Sequence, residues 1–176
     1  MAVRIRSADR KADRRAVSAI ETAFTTNAIY DVAVGPLAIQ LALRELDAPR
    51  VTRYPMGDAF APWSTWDTGF VAEDDAGVCG FAGVEYEAWH ARLVLWHLYV
   101  DAGRRREGIA RMLLDRVEAH GRELGPRRVW LETTSVNVPG IAAYARLGYS
   151  LCGADVTVYD TLPYADEAAI YLAKSL

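Results

Sequence analysis

The sequence predicts an α+β fold built on a mixed, mostly antiparallel central sheet of about seven strands, and three observations carry that prediction. From Gly69 to Val100, runs rich in β-branched and aromatic residues follow one another with only short turn signals between them. Such a series makes an antiparallel meander. Next comes a strand–helix–strand series, from Ala91–Val100 through a helix ending near Leu124 to a strand over Arg127–Thr134, which requires a parallel crossover. Finally, 176 residues with 52 % hydrophobic and 24 % charged side chains suit one domain with a sizeable core and are short for two.

In chain order, Val3-Arg4-Ile5-Arg6 alternates apolar and basic residues and reads as a short first strand. Ser7 to Asp9 offers helix N-caps, and Ala12, Ala16, Val17, Ile20 and Phe24 follow a helical face. Thr25 to Asp31 is polar enough for a loop, and Pro36 to Leu46, opened by Gly-Pro, reads as a second helix. Asp47 to Thr68 carries Pro49, Pro55 and Pro62 among aromatic residues and reads as a long, functional loop. Phe70–Glu73 and Val78–Tyr86 are strands flanking the turn Asp74-Asp75-Ala76-Gly77, and Ala91–Val100 follows a turn near Ala88-Trp89-His90. A helix begins near Glu107 and stops at Leu124-Gly125-Pro126. After the strand at Arg127–Thr134 come a short helix over Val138–Leu147, ended by Gly148, and strands over Tyr149–Val158 and Ala168–Leu172. No internal repeat or low-complexity stretch interrupts the series.

Composition narrows the function. A formal net charge of −3 disfavours a general nucleic-acid partner, and the one arginine run is only three residues long. Cys79 and Cys152 have neither the number nor the spacing of a disulfide framework or a zinc site, so they are expected to be buried thiols and no metal is expected. No segment approaches the ~18 consecutive apolar residues of a membrane span, and MAVRIRSADRKADRR lacks the apolar core of a signal peptide. The expected setting is cytoplasmic, with no membrane partner.

Chemistry concentrates in two places. The strand containing Trp96, His97, Leu98, Tyr99 and Val100 breaks at Asp101-Ala102-Gly103. It leads through Arg104, Arg105, Arg106 and Glu107 into a helix at Gly108, Ile109, Ala110 and Arg111. The first N–H groups of a helix lack internal partners and sit at the positive end of its dipole. With small residues to let it approach and arginines alongside, a pyrophosphate fits such a site; a plain solvated basic turn is the alternative. In the long loop, Tyr54, Asp58, Trp63, Trp66 and Asp67 would form an aromatic, acidic wall suited to a cationic amine, unless the rings only cover the sheet edge.

Two motifs, in order, carry a resemblance. Arg105-x-x-Gly108-x-Ala110 resembles the Gln/Arg-x-x-Gly-x-Gly/Ala loop of the GCN5-related N-acetyltransferases (GNAT), and Asn137-Val-Pro-Gly-Ile-Ala-Ala-Tyr144-Ala-Arg-Leu-Gly148-Tyr149 resembles the family's second signature. Gly140 stands where alanine is usual there, and Tyr149 where phenylalanine is. The resemblance covers residues 68 to 150 best. The phrases LETTSVNVPGIAAYARLGY and LCGADVTVYD look like the streptothricin acetyltransferase branch.

That resemblance implies a single domain over 1–176 with helices on both faces of the sheet, and transfer of an acetyl group from acetyl-CoA to a primary amine of a small cationic acceptor. It implies that Arg105, Arg106, Gly108, Ile109, Ala110 and Arg111 enclose the phosphates. Leu98 and Val100 would pair with the pantetheine arm, and Asn137 would bond it. A backbone N–H at Tyr99 would receive the thioester oxygen, and Tyr144 would protonate the departing thiolate. An alkylammonium, with a reference pKa near ~10.4, needs a base before it can attack. Glu132 is the first candidate and His97, neutral at pH 7, the second, with Glu85 and Glu87 in reserve. A protein N-terminal or lysine acetyltransferase and a non-catalytic acyl-CoA-binding domain are the competing readings. The chain is expected to be a monomer or a homodimer.

Overall fold

A computed structural model describes residues 2–176, which form two compact units. The first contains the chain up to Phe24, Arg53–Val129 and Ser175–Leu176; the second contains Thr25–Thr52 and Trp130–Lys174.

In the first unit, β1 (Arg4–Ser7), β4 (Thr68–Asp74), β5 (Gly77–Glu87) and β6 (Arg92–Val100) lie side by side in the order β1-β4-β5-β6, all antiparallel. This is the expected meander with the first strand added at its edge. Strand alternation sends Val71 and Phe81 to one face and Phe70 to the other. On the first face they join Val17 and Ile20, from α1 (Arg14–Ser18) and the residues after it, in a core with Met56, Ala59 and Trp66. On the other, Phe70 packs against His120 of α2 (Ile109–Leu124), whose Ile109, Leu113, Leu114 and Val117 are buried. At Gly80 a Cβ would lie 3.1 Å from both Ile109 and Leu113, so glycine there lets α2 approach the sheet closely. Helices therefore cover both faces of this unit.

The bonds that close the unit are charged. Arg6 forks onto Asp13 at 2.7 and 2.8 Å and reaches Glu73 at 2.8 Å, tying β1, α1 and β4 together. The guanidinium holds the Asp13 carboxyl below its usual range.

In the second unit, β7 (Arg128–Thr134, which begins at the end of the first unit), β9 (Ala169–Ser175) and β8 (Ser150–Asp155) follow in the order β7-β9-β8. β8 and β9 are antiparallel, and α3 (Val138–Arg146) follows β7. The seven strands of these two sets match the number expected.

The N-terminal third departs from expectation. Thr25–Asp31 is not a loop and Pro36–Leu46 is not a helix: β2 (Phe24–Gly35) and β3 (Ala38–Thr52) form a two-stranded antiparallel ribbon turned at Pro36-Leu37. Ile39, Leu43 and Leu46 have helical spacing, but Leu37, Ile39, Leu41 and Leu43 alternate with period two, and β2 offers that strand a partner. Arg44 Nε donates to Asp31 Oδ2 across the ribbon at 2.7 Å, and Tyr30 N–H donates to Ser135 O at 3.0 Å. The long loop consequently starts at Arg53, not Asp47, and α1 is a helix of five residues. Of the two thiols, Cys79 is buried as expected, whereas Cys152 on β8 is exposed. Among the described residues no helix is long and apolar enough to cross a membrane, and no group of three or more His, Cys, Asp or Glu could hold a metal ion.

Candidate active site

In the first unit, the turn from β6 to α2 is fastened to the segment after α1. Asp101 accepts from Gly103 N–H at 2.9 Å and from Glu21 N–H at 3.0 Å, while Ala102 N–H donates to Glu21 O at 2.9 Å. The first helical rung is Met112 N–H to Gly108 O at 3.1 Å, so the N–H groups of Ile109, Ala110 and Arg111 precede it and face outward from the helix start. Gly108 has φ +83°, a left-handed conformation that favours glycine, and a Cβ there would meet nothing within 4 Å. Unpaired amides at the positive end of a helix are groups that a phosphate can meet.

The arginines divide their work differently from the sequence-based expectation. Arg105 donates to Ala23 O at 2.7 Å, Thr22 O at 2.8 Å and Val100 O at 3.3 Å, so its guanidinium braces the loop from within rather than enclosing phosphates. It is half-buried, and three carbonyls satisfy most of its donors. Arg104 is paired with Asp74 at 2.8 Å and Glu107 at 3.0 Å. Arg106, with φ +68°, and Arg111 are exposed and, among the described residues, belong to no ion pair. These two remain able to meet an anion.

β6 carries a bulge. Gly83 pairs with His97 and Val84 with Leu95, which leaves Trp96 as the extra residue, 40 % exposed, and turns His97 inward. His97 is 6 % exposed, lies beside the rings of Phe81 and Tyr99, and has Ser64 Oγ 2.9 Å from its Nε2. Its Nδ1 has no hydrogen-bond partner among the described residues. Burial, helped by the Arg10 charge, lowers its pKa to about 4. The neutral form expected at pH 7 is therefore present, with Ser64 Oγ already at its Nε2. Leu98, Tyr99 and Val100 lie opposite Ala82, Phe81 and Gly80 of β5, and burial pushes the Tyr99 phenol up.

His97 also makes a stability prediction. Between its folded value of about 4 and its ordinary 6.5, the unfolded chain binds a proton that the folded protein refuses. Stability is thus fully retained above 6.5 and falls as pH drops through this window, by about 3 kcal/mol from this side chain. Urea unfolding at a series of pH values should show that loss, and His97→Gln should flatten it. An unchanged slope in the variant would assign the acid sensitivity elsewhere.

The loop from Arg53 to Asp67 separates into wall and core. Trp66 is 4 % exposed and is a core residue, not an acceptor wall. Its ring packs edge-on against Phe60 and Phe81, and its Nε1 donates to Ala59 O at 2.5 Å. Gly69 and Gly83 clear its slot, since a Cβ on either would come to 2.9 or 3.0 Å from the ring. Arg10 lies 4.2 Å over that ring and donates to Trp66 O and Ser64 O, each at 2.7 Å. Trp63, 59 % exposed, and Asp67 face solvent, whereas Tyr54 and Asp58 are half-buried. The reserve acids are occupied: Glu85 accepts from Thr65 and Trp96, and Glu87 pairs with His90.

In the second unit, Glu132 on β7 is exposed, and its Oε1 accepts from the Tyr159 hydroxyl at 2.6 Å. Asn137 caps α3: its Oδ1 accepts from Gly140 N–H at 3.1 Å and its Nδ2 donates to Thr133 Oγ1 at 2.9 Å, leaving one amide N–H for other work. A Cβ at Gly140 would come to 2.3 Å from the Asn137 side chain, which explains the glycine in place of alanine. Tyr144, half-buried on α3, packs edge-on against the ring of Tyr149 at 5.6 Å. Sequence reasoning missed Ser64, Arg10 and Tyr159, whose partners lie 33, 56 and 27 positions away, beyond any local pattern.

Comparison with known proteins gives a consistent result. Residues 39–149 match the model of the acetyltransferase (GNAT) family. The chain is 36 % identical over 173 residues to streptothricin acetyltransferase of Streptomyces lavendulae, covering 93 % of this chain and 90 % of that one. The crystal structure of nourseothricin acetyltransferase superposes with a TM-score of 0.89 at 31 % identity, covering 99 % of both chains. A Bacillus anthracis protein solved with acetyl coenzyme A shares the fold, with a TM-score of 0.83 at 20 % identity over 99 % of this chain and 100 % of that one.

Proposed function

The chain belongs to the acetyltransferase (GNAT) family, and from that premise we propose that it moves the acetyl group of acetyl-CoA to a primary amine of a small cationic acceptor of streptothricin type. The single observation that carries this reading is the 36 % identity to streptothricin acetyltransferase over nearly the whole of both chains. Residues 1–176 act as one N-acetyltransferase domain in this reading, and the cytoplasm is its setting.

The donor end follows from α2. Phosphates would meet the outward N–H groups of Ile109, Ala110 and Arg111 beside Gly108, with Arg106 and Arg111 supplying charge. Arg105 contributes by holding this turn in shape. The pantetheine arm would pair with Leu98 and Val100. The thioester oxygen would lie at the Tyr99 N–H, where negative charge develops during attack.

For the chemistry, Glu132 takes a proton from the acceptor ammonium, and the freed nitrogen attacks the thioester carbon. The new C–N bond forms as the C–S bond breaks. Tyr144 donates its phenolic proton to the departing thiolate and recovers one, through solvent, from the acylated nitrogen. Glu132 Oε1 accepts from the Tyr159 hydroxyl, a neutral donor, and its other oxygen can accept a proton.

The test is CoA release measured with acetyl-CoA against a panel of streptothricin-type antibiotics, polyamines and peptide N-termini. Turnover should be highest with the antibiotics. Turnover confined to peptides would replace this reading with a protein acetyltransferase, and CoA binding without turnover on any amine would leave a non-catalytic domain.

A further inference from the structure

The second unit contains a residue placed to hold the Glu132 carboxylate. Glu132 lies on β7, where strand alternation puts it on the same face as Trp130. On that face the Trp130 and Tyr171 rings stack at 5.2 Å and 29°. Tyr171 in turn lies over Gly153 of β8, where a Cβ would come within 3.1 Å of its ring. Burial, with the charges of Glu132 and Asp155 adding to it, pushes the Tyr171 phenol up. An aromatic platform with a carboxylate at its margin is the chemistry that receives an ammonium.

Tyr159 reaches this face from the segment joining β8 to β9. Its ring is 9 % exposed, packs edge-on against Tyr164 at 5.3 Å, and directs its hydroxyl to Glu132 Oε1 at 2.6 Å. The segment is fastened at both ends. At its start, Asp155 Oδ1 accepts from Thr157 N–H at 2.7 Å and Val158 N–H at 3.2 Å. At its end, Arg50 of β3 bonds Asp166 at 2.7 Å and the buried Glu167 at 2.6 Å, and Ala168 N–H donates to Ser135 Oγ at 3.1 Å. These bonds anchor both ends of the segment that carries Tyr159.

We propose that Tyr159 is a positioning residue, whose hydroxyl holds the Glu132 carboxylate in one rotamer so that its other oxygen faces an acceptor ammonium received on the Trp130–Tyr171 platform. This rests on Glu132 acting as the base in the proposed function. An exposed glutamate has three side-chain torsions to restrict before it can take a proton at a defined point. A short hydrogen bond to a carboxylate is strong enough to impose that restriction.

The experiment is a double-mutant cycle with Tyr159→Phe, Glu132→Gln and both together, in the full chain, with the amine acceptor that the panel identifies. Phenylalanine keeps the ring and its packing and removes only the hydroxyl. Tyr159→Phe should lower kcat/KM for the amine about ten- to a hundredfold, the range expected for one hydrogen bond to a charged group, with KM for acetyl-CoA within about twofold. In the Glu132→Gln background the same change should cost less than about twofold, because the carboxylate it serves is gone. Equal losses in the two backgrounds, or an active Tyr159→Phe single variant beside an inactive Glu132→Gln, would overturn the positioning role. If Glu132→Gln alone retains full activity, the base assignment itself fails, which is a distinguishable result.

Discussion

Replacing Tyr144 by phenylalanine is expected to lower kcat for acetyl transfer by about two to three orders of magnitude, while KM for acetyl-CoA stays within about twofold. The substitution removes one hydroxyl from a half-buried ring on α3 and leaves its edge-on packing with Tyr149 intact. The helix stays capped by Asn137 at its start, so the ring keeps its place. What is lost is a proton donor for a thiolate, which leaves a carbon centre slowly when no acid assists it. Steady-state CoA release at saturating amine gives kcat, and titration with CoA gives binding separately. Turnover at the parent rate would remove Tyr144 from the mechanism; a parallel loss of CoA affinity would make it a binding residue.

Trp66→Ala is expected to destabilise the protein by about 3–5 kcal/mol, as for other large aromatic side chains removed from a close-packed core. The ring fills a slot made by Gly69 and Gly83 and meets Phe60 and Phe81, and its indole N–H bonds Ala59 O. Its loss opens a cavity, orphans one carbonyl bond and removes the surface on which the Arg10 guanidinium lies. Trp63→Ala, in the same loop but 59 % exposed, should change stability by about 0.5 kcal/mol or less. Denaturant midpoints at constant slope measure both. Comparable losses in the two variants would mean that this loop is not divided into core and surface as described.

Much of this was legible in the chain, for reasons tied to particular residues. The β4-β5-β6 meander and the helix at Ile109–Leu124 announce themselves through local alternation, glycine turns and helical spacing, since each element's apolar pattern is contained within its own length. The ribbon of β2 and β3 was not legible. The stretch holds a helical set, Ile39, Leu43 and Leu46, and an alternating set, Leu37, Ile39, Leu41 and Leu43, and only pairing with β2 selects the second. His97 was recognisable as a histidine on the central strand, but its depressed pKa depends on the bulge at Trp96 and on burial, and neither shows in a sequence. Arg105 was recognisable as part of a motif, yet its guanidinium is engaged by carbonyls more than eighty positions away.

The sequence by itself determined the family, the seven strands outside the β2–β3 ribbon and the positions of the two signature turns, because these rest on short-range spacing: Gly108 and Ala110 at a helix start, Asn137 as the cap of α3, Tyr144 in its last turn. The tertiary structure alone decided which polar side chains are left to do chemistry. Of four neighbouring arginines it engages Arg104 and Arg105 and leaves Arg106 and Arg111 open; of two aromatic residues three positions apart it buries Trp66 and exposes Trp63. It also joins Tyr159 to Glu132. The physical reason is the same in each case. Hydrogen-bond partners and burial are properties of groups brought together from distant parts of the chain, and no local pattern encodes them.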